Sequence, residues 1–583
     1  MARGSFVKSL TGLLTLQGAL GNPVKSKAAY PAAKPSSSIV GDGQLGAVAS
    51  ESDICSHIGI DLLKAGGNAA DAMVGTVACV GVVGMYHSGI GGGGFMLVRA
   101  PNGTYEFIDF RETAPAAAFE DMYKNNTDAS INGGLASGVP GELRGLQHLH
   151  ENYGVLPWAT VLTPAIKVAR NGWRVNEDLV KYMVSATSGD AGNFLVDDVE
   201  FALDFAPQGR LLQLNETITR KRYADTLETI AQDGPDAFYN GPIAEATIRA
   251  LQAANGTMTL EDLANYTVAI RKPSTITYRD YKLTACSAPS GGEVALATLK
   301  IMEGYSGVGD PSNINLTTHR LDESMRFAYG MRAELGDPLF LDGMDAYQQQ
   351  MLSAATAKEI RSKISDNRTF DVAYYDPAGL ESLETPGTSH IVTADKSGMA
   401  VTLTTTVNLL FGSKLVVPET GVIMNNEMND FSIPNTTNAF GYIPSPANFI
   451  RPGKRPLSSI SPVLVEHRNS SSVADAFYVA MGAAGGSRII TATIQNLIHI
   501  LDGEMTTADA LAEPRIHDQL VPAQVSFEYG FNNGTTAFMT ALGANVTWVA
   551  PGSSSAQGLR LLRNGTFEAA GEPRQKNSGG FVI

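Results

Sequence analysis

Residues 388–408 alternate hydroxyl and aliphatic side chains about one tight turn, and a fold must be built around that hairpin. Residues 391–394 read as a strand, Asp395-Lys396-Ser397-Gly398 as a turn, and residues 399–408 as a returning strand rich in Val and Thr. A period of two puts Met399, Val401, Leu403, Thr405 and Val407 on one face. It puts Ala400, Thr402, Thr404, Thr406 and Asn408 on the other. Directly before the hairpin stands Gly387-Thr388-Ser389-His390, preceded by a polar, turn-forming run. The turn brings Thr388 back opposite Thr405 or Thr406, depending on whether Gly398 makes a bulge. Either register leaves Thr406 and Asn408 within reach. A cut between Gly387 and Thr388 would give one residue both a nucleophilic hydroxyl and a basic amine, a recognised way to activate threonine. Taken alone, a Gly-Thr pair at a strand start is common, and the hydroxyl face of such a strand ordinarily meets water.

Composition excludes several functions. The chain has 583 residues, 44% hydrophobic and only 17% charged, which supplies a large core. A net charge of −15 with no dense basic run argues against nucleic acid as a partner. No Cys-x-x-Cys or His-Glu-x-x-His occurs, and His148 and His150 do not share a helical face, so neither a metal site nor a cofactor is indicated. The glycine run at 89–94 lacks a following Gly-Lys-Ser/Thr, so glycines packed at a site entrance are a better reading than a phosphate loop.

Residues 1–24 read as a signal peptide, with Arg3 and Lys8 ahead of an apolar stretch too short to span a membrane. Residues 25–40 read as a linker, with ordered structure starting near Gly41. Asn-x-Ser/Thr patterns recur a dozen times between Asn102 and Asn564, which fits a glycosylated protein of a secreted or lumenal compartment, cell-surface and vacuolar destinations included. Residues 51–64 form a helix ending at Ala65-Gly66-Gly67, and Asn68 caps a second, nearly all-apolar helix over 69–83. Cys55 and Cys79 fall on these neighbouring helices and are the natural disulfide pair where geometry permits; the closed loop would contribute about 3–4 kcal/mol. Cys286 is then a buried free thiol. Residues 139–380 read as mostly helical, with one helix over 293–302. Beyond the hairpin, residues 422–424 read as a buried strand, 432–453 as a long loop, and 462–466 and 475–481 as strands. The run Gly482-Ala483-Ala484-Gly485-Gly486-Ser487-Arg488 then opens a helix over 489–501, an arrangement that leaves backbone N–H groups free to bind an anion. Arg111 stands where the strand over 105–110 stops, a common place for a binding residue, although a surface ion pair explains a lone arginine equally well.

Several ordered motifs together resemble the gamma-glutamyltranspeptidases (glutathione hydrolases), members of the N-terminal-nucleophile hydrolases. They are Leu63-Lys64-Ala65-Gly66-Gly67-Asn68-Ala69-Ala70-Asp71-Ala72, Gly91-Gly92-Gly93-Gly94-Phe95-Met96, Phe110-Arg111-Glu112-Thr113-Ala114-Pro115 and Thr388-Ser389-His390. Downstream come Asn425-Asn426-Glu427-Met428-Asn429-Asp430-Phe431, Arg455-Pro456-Leu457-Ser458-Ser459 and Gly485-Gly486-Ser487-Arg488. The likeness runs from about Gly41 to Ile583. It departs from the family where Ser389 replaces the more usual threonine, and it differs from many bacterial relatives at Glu427 and Asn429.

The resemblance implies an α/β fold, a four-layer αββα sandwich, cut between Gly387 and Thr388 into a large subunit (41–387) and a small one (388–583) that stay together. It implies Thr388 as nucleophile, Thr406 orienting its amine, and Gly485 and Gly486 as the oxyanion hole. Arg111, Ser458 and Ser459 would take the substrate α-carboxylate, and Asn408, Glu427 and Asp430 its α-ammonium. The loop 432–453 would be a lid gated by Phe440 or Tyr442. The implied substrates are glutathione and other gamma-glutamyl compounds, with water or an amino acid or peptide as acceptor. The alternatives are a cephalosporin or other amide acylase using the same Thr388, and a non-enzymatic secreted glycoprotein.

Overall fold

Two largely antiparallel sheets lie face to face, and the hairpin occupies the middle of the first. In this computed structural model the described residues are 37–39, 42–188, 192–380, 387–434, 443–470 and 472–583. The first sheet has eight strands in the order Ser37–Ile39, Gly579–Val582, Gly46–Ser50, Ser389–Asp395, Ala400–Thr406, Gly93–Arg99, Tyr105–Asp109 and Ala269–Arg271. Only its first pair is parallel. The hairpin strands are therefore held on one side by Gly46–Ser50 and on the other by Gly93–Arg99, both from far upstream. The second sheet runs Phe567–Ala570, Ser555–Leu561, Phe477–Ala484, Val463–His467, Tyr281–Ala285 and Ser274–Tyr278, antiparallel throughout.

The layers are αββα. Met96, Val98, Ile391, Val401 and Leu403 of the first sheet pack outward against the helices Asp53–Lys64, Ala69–Val83 and Glu142–Tyr153. The opposite face, with Phe95, Leu97, Val392, Ala394 and Ala400, shares a core with Leu464, Ala480 and Leu559 of the second sheet. The helices Gly292–Met302 and Arg488–Leu501 cover the far side. Central strands covered on both faces cannot carry unpaired charge, which is why the polar residues within 389–394 and Ala400–Thr406 are hydroxyls and one histidine.

Caps set the first two helices. Ser52 caps Asp53–Lys64. Asn68 accepts from the Ala70 and Asp71 amides, while Asp71 Oδ2 accepts the Asn68 N–H at 3.0 Å, a reciprocal capping box. Every residue of Ala69–Val83 is buried, and a Cys55–Cys79 disulfide ties the pair together. Cys286 is a buried free thiol.

Two readings of the sequence need correction and one an addition. The stretch 139–380 is mostly helical, but it also holds the strands Ala269–Arg271, Ser274–Tyr278 and Tyr281–Ala285. The first two are sheet edges, half exposed, so polar residues dilute the alternation that Ile276 and Tyr278 carry. Residues 422–424 form no strand, only an isolated bridge between Val416 and Ile423. Ordered structure begins before Gly41, because Ser37–Ile39 pairs with residues 580–582, a partner that no local pattern announces.

Candidate active site

The register decides which threonine faces Thr388. Ser389 pairs with Thr405 and Ala394 with Ala400, with no bulge between them, so Thr388 falls opposite Thr406. Thr406 Oγ1 donates to the Gly387 carbonyl at 3.1 Å and accepts the Asn408 N–H at 2.7 Å. Thr388 Oγ1 lies against the same carbonyl, in a buried environment. Gly387 has φ +120°, and a Cβ there would stand 2.2 Å from the Asn408 carbonyl oxygen, so no other residue fits without moving the backbone. The glycine run closes against the same strand: a Cβ on Gly92 or Gly94 would come within 2.1 Å of the Thr406 or Thr404 carbonyl oxygen.

Neighbouring groups are held away from the chemistry. His390 Nδ1 bonds to Thr404 Oγ1 at 2.8 Å, and burial pushes its pKa down to about 3, so it is a neutral packing element and not a base. Ser389 points to the helical layer, donating to Glu51 Oε1 at 2.7 Å and accepting from Ser88 at 3.1 Å. Thr405 on that side donates to Glu142, whose carboxyl burial raises to about 7.

Asn408 links the hairpin to the charged part of the site. Its Nδ2 donates to the Asn426 carbonyl at 3.0 Å, while Asn426 Oδ1 accepts the Leu409 N–H at 3.0 Å. Asn425 ties the same turn to the glycine run, donating to the Gly91 and Gly138 carbonyls at 2.7 and 2.8 Å. The short helical turn Glu427–Asp430 then presents two carboxylates to one guanidinium. Arg111 pairs with Glu427 through Nη1 and with Asp430 through Nη2. All three side chains are buried, and Arg111 Nε has no hydrogen-bond partner among the described residues. Burial first, then the nearby Glu112 and Asp430 carboxylates, push Glu427 well above the ordinary carboxylate range against the opposing pull of Arg111. Glu112 rises to about 8, by burial above all.

Arg111 is set in place from below. Its N–H donates to Asp109 Oδ1 at 3.0 Å, and its carbonyl accepts from Tyr266 at 2.7 Å. Asp109 also pairs with Arg271 at 2.6 Å and Arg455 at 3.2 Å, and Asp337 joins Arg271 at 2.9 Å and the Arg455 N–H at 3.0 Å. The alternation of charges keeps this buried cluster balanced.

Ser458 and Ser459 approach from the other side. Asn448 Nδ2 donates to the Asp430 carbonyl at 2.7 Å while its Oδ1 accepts the Leu457 N–H at 2.9 Å, joining the two segments. Ser458 N–H is anchored on the Pro289 carbonyl at 2.8 Å, and Ser459 Oγ accepts from Arg332 at 3.1 Å. In the second sheet, a Cβ on Gly482 would come within 2.3 Å of the His390 ring, so glycine lets the two sheets approach there. Three residues on, Gly485 (φ +121°) and Gly486 (φ +60°) turn into the helix Arg488–Leu501. Neither amide donates a hydrogen bond among the described residues. Tyr329 fixes this turn by donating to the Ser487 carbonyl at 2.7 Å.

The structure thus joins Thr388, Thr406, Asn408, Glu427, Asp430 and Arg111 through one chain of contacts, and brings Ser458 and Ser459 to it through Asn448. Phe440 and Tyr442 lie outside the described residues. Sequence reading missed Arg332, Asp109 and Asp337. Asp109 does stand two residues before Arg111 at the same strand end, but Arg332 and Asp337 lie in and beyond a helix with no local mark of the site.

The family model described as gamma-glutamyltranspeptidase matches residues 55–582. The chain is 57% identical over 553 residues to the glutathione hydrolase proenzyme of Arthroderma benhamiae, covering 93% of each chain. It is 50% identical over 540 residues to a glutathione hydrolase of Aspergillus flavus, covering 92% of this chain and 90% of that one. Among solved structures it superposes on the cephalosporin acylase from Bacillus halodurans with a TM-score of 0.80 at 26% identity, covering 96% of this chain and 99% of that chain. On the Helicobacter pylori gamma-glutamyltranspeptidase the TM-score is 0.52 at 31% identity, covering 55% of this chain and 92% of that chain. A family match over most of the sequence and relatives of this identity and coverage have one meaning: the chain belongs to the gamma-glutamyltranspeptidase family.

Proposed function

We propose that this chain is a precursor that cuts itself between Gly387 and Thr388 and then cleaves the gamma-glutamyl amide bond of glutathione and related compounds through a threonyl ester. The observation that carries this reading is Arg111, buried and shared between Glu427 and Asp430. Such a set suits a zwitterion. An α-amino-acid head brings one carboxylate to Arg111 and one ammonium to the two acids, so partners are exchanged without leaving a buried charge uncompensated.

Self-cleavage starts from the contact of Thr388 Oγ1 with the Gly387 carbonyl group. The hydroxyl oxygen bonds to the carbonyl carbon, and Thr406 Oγ1 is placed to donate to the oxygen that gains charge. The C–N bond then breaks, and the Thr388 nitrogen takes the proton. Water hydrolyses the resulting ester, leaving a carboxylate on Gly387 and freeing the Thr388 hydroxyl and amine. The departure of Gly387 leaves Thr406 to orient the new amine, whose reference pKa near 8 suits a base at neutral pH. In catalysis the hydroxyl attacks the gamma-carbonyl, and the unengaged amides of Gly485 and Gly486 receive the oxyanion; one such donor contributes about 3–4 kcal/mol. The leaving amine takes the proton, and water or an acceptor amine resolves the ester. Ser458 and Ser459 complete the carboxylate site, and Asn408 helps to hold the ammonium.

The products are residues up to Gly387 and the chain 388–583, held as a heterodimer. We assign the enzyme to a secreted or lumenal compartment: every sequon asparagine among the described residues is exposed except the half-buried Asn315. No helix among those residues is long and apolar enough to cross a membrane.

The test compares a gamma-glutamyl anilide with a glutaryl anilide, which lacks the α-ammonium. Preference for the first is expected, and faster turnover of the second would make the chain an acylase. Thr388→Ala is expected to leave one band on a denaturing gel and no turnover, and sequencing of the wild-type smaller band should begin at Thr388. A Thr388→Ala protein that still splits removes Thr388 as nucleophile.

A further inference from the structure

The helix Ile314–Arg332 ends inside the site, and its last side chain has no counter-ion among the described residues. Arg332 is buried at 6% exposure, donates through Nη2 to Ser459 Oγ at 3.1 Å, and leaves Nε without a hydrogen-bond partner among the described residues. The other buried arginines among the described residues, 99, 111, 220, 326, 455, 515 and 560, all lie within ion-pair distance of a carboxylate. Arg332 forms no ion pair among the described residues. A buried cation without a counter-charge is destabilising, by more than the modest gain from standing at a helix C-terminus. Ser459 stands two residues after Leu457, whose N–H donates to Asn448, and Asn448 donates to the Asp430 carbonyl, so Arg332 reaches the rim of the same charged cluster through this segment.

The bond to Ser459 has a direction. An arginine only donates, so Ser459 Oγ is the acceptor and its own proton is free to go elsewhere. A hydroxyl whose lone pair is taken by a cation is a stronger donor to an anion. We propose that Arg332 is a positioning residue that selects substrates carrying an α-carboxylate: it polarises Ser459 and supplies the second positive charge that the anion completes. The inference rests on the reading of the site as one for gamma-glutamyl compounds. It makes the specificity a joint product of both sides of the cleavage point, with the serine from the downstream chain and the arginine from the upstream one.

The experiment pairs an enzyme change with a substrate change. Processed wild-type, Arg332→Gln and Arg332→Lys proteins are assayed on gamma-glutamyl p-nitroanilide and on 4-aminobutyryl p-nitroanilide, which is the same molecule without the α-carboxylate. Wild type should strongly prefer the first. Arg332→Gln should lose about 10- to 100-fold in kcat/KM on the first, mainly through KM, and less than about twofold on the second, as expected for a hydrogen-bonded charge removed from an anion site. Arg332→Lys should recover part of the preference, and adding Ser459→Ala to Arg332→Gln should cost little more. An equal fall on both anilides, or no fall on the first, overturns the proposal. Should Arg332→Gln fail to yield two chains, Arg332→Lys decides alone: a preference intermediate between wild type and no preference supports the proposal, and an equal loss on both substrates overturns it. A wild-type enzyme indifferent to the carboxylate overturns the gamma-glutamyl reading itself, a result distinct from any variant's.

Discussion

At the scale of single residues, Gly387 carries the most constraint. Its φ of +120° and the 2.2 Å approach of a Cβ to Asn408 O leave no room for alanine. Gly387→Ala should add about 1–3 kcal/mol of backbone strain and slow processing tenfold or more, read as persisting precursor on a timed denaturing gel. Asp430→Asn keeps the shape and removes one of the two charges on Arg111. It should raise KM for a gamma-glutamyl anilide about 10- to 100-fold with a smaller change in kcat, measured by steady-state kinetics. Such residues differ in how readable they were. Gly387 and Thr388 are visible as a glycine and a hydroxyl ahead of a patterned strand, and Arg111 as a cation at a strand end. That Arg111 shares a site with Glu427 and Asp430 came only from family motifs, and their direct pairing only from the structure, because a contact across more than three hundred positions leaves no local trace. Arg332 was invisible for the same reason, its only signal being an arginine in a helix.

The elements were more legible than the contacts between them. Asn68 and the glycines at 66–67 mark the break between the first two helices, because caps are local chemistry. Their disulfide closes a separation of 24 residues, so replacing both Cys55 and Cys79 by alanine should cost about 2–4 kcal/mol, measured by denaturant unfolding. The edge strands between 269 and 285 escaped notice because exposure breaks their pattern. One of them bears a titration that the fold imposes. Ser274 Oγ donates to Glu293 Oε1 at 2.6 Å, and burial raises this acid from 4.5 to about 8. The folded state then favours the protonated form, so its stability is full below about pH 4.5 and falls as pH rises toward 8. Glu293→Gln should flatten the decline by on the order of 1 kcal/mol per pH unit across that window, as followed by unfolding at several pH values.

At the scale of the whole molecule, the αββα layering follows from a hairpin that needs cover on both faces, whereas strand order does not follow from any pattern along the chain. That order sets the fate of the cut protein. The strands beginning at Ser389 and Ala400 sit between Gly46–Ser50 and Gly93–Arg99, and Gly579–Val582 lies beyond them. The two products should co-elute from gel filtration under native conditions and separate only after denaturation. Interleaving has a further effect in time. The precursor folds as a unimolecular event, with both halves of the ladder supplied by one chain. Once the peptide bond is gone, unfolding releases two molecules, and recovery becomes bimolecular and dependent on dilution. Cleavage thereby makes the fold historical: the active enzyme lasts as long as its unfolding barrier holds, and its thermal lifetime is governed by a rate.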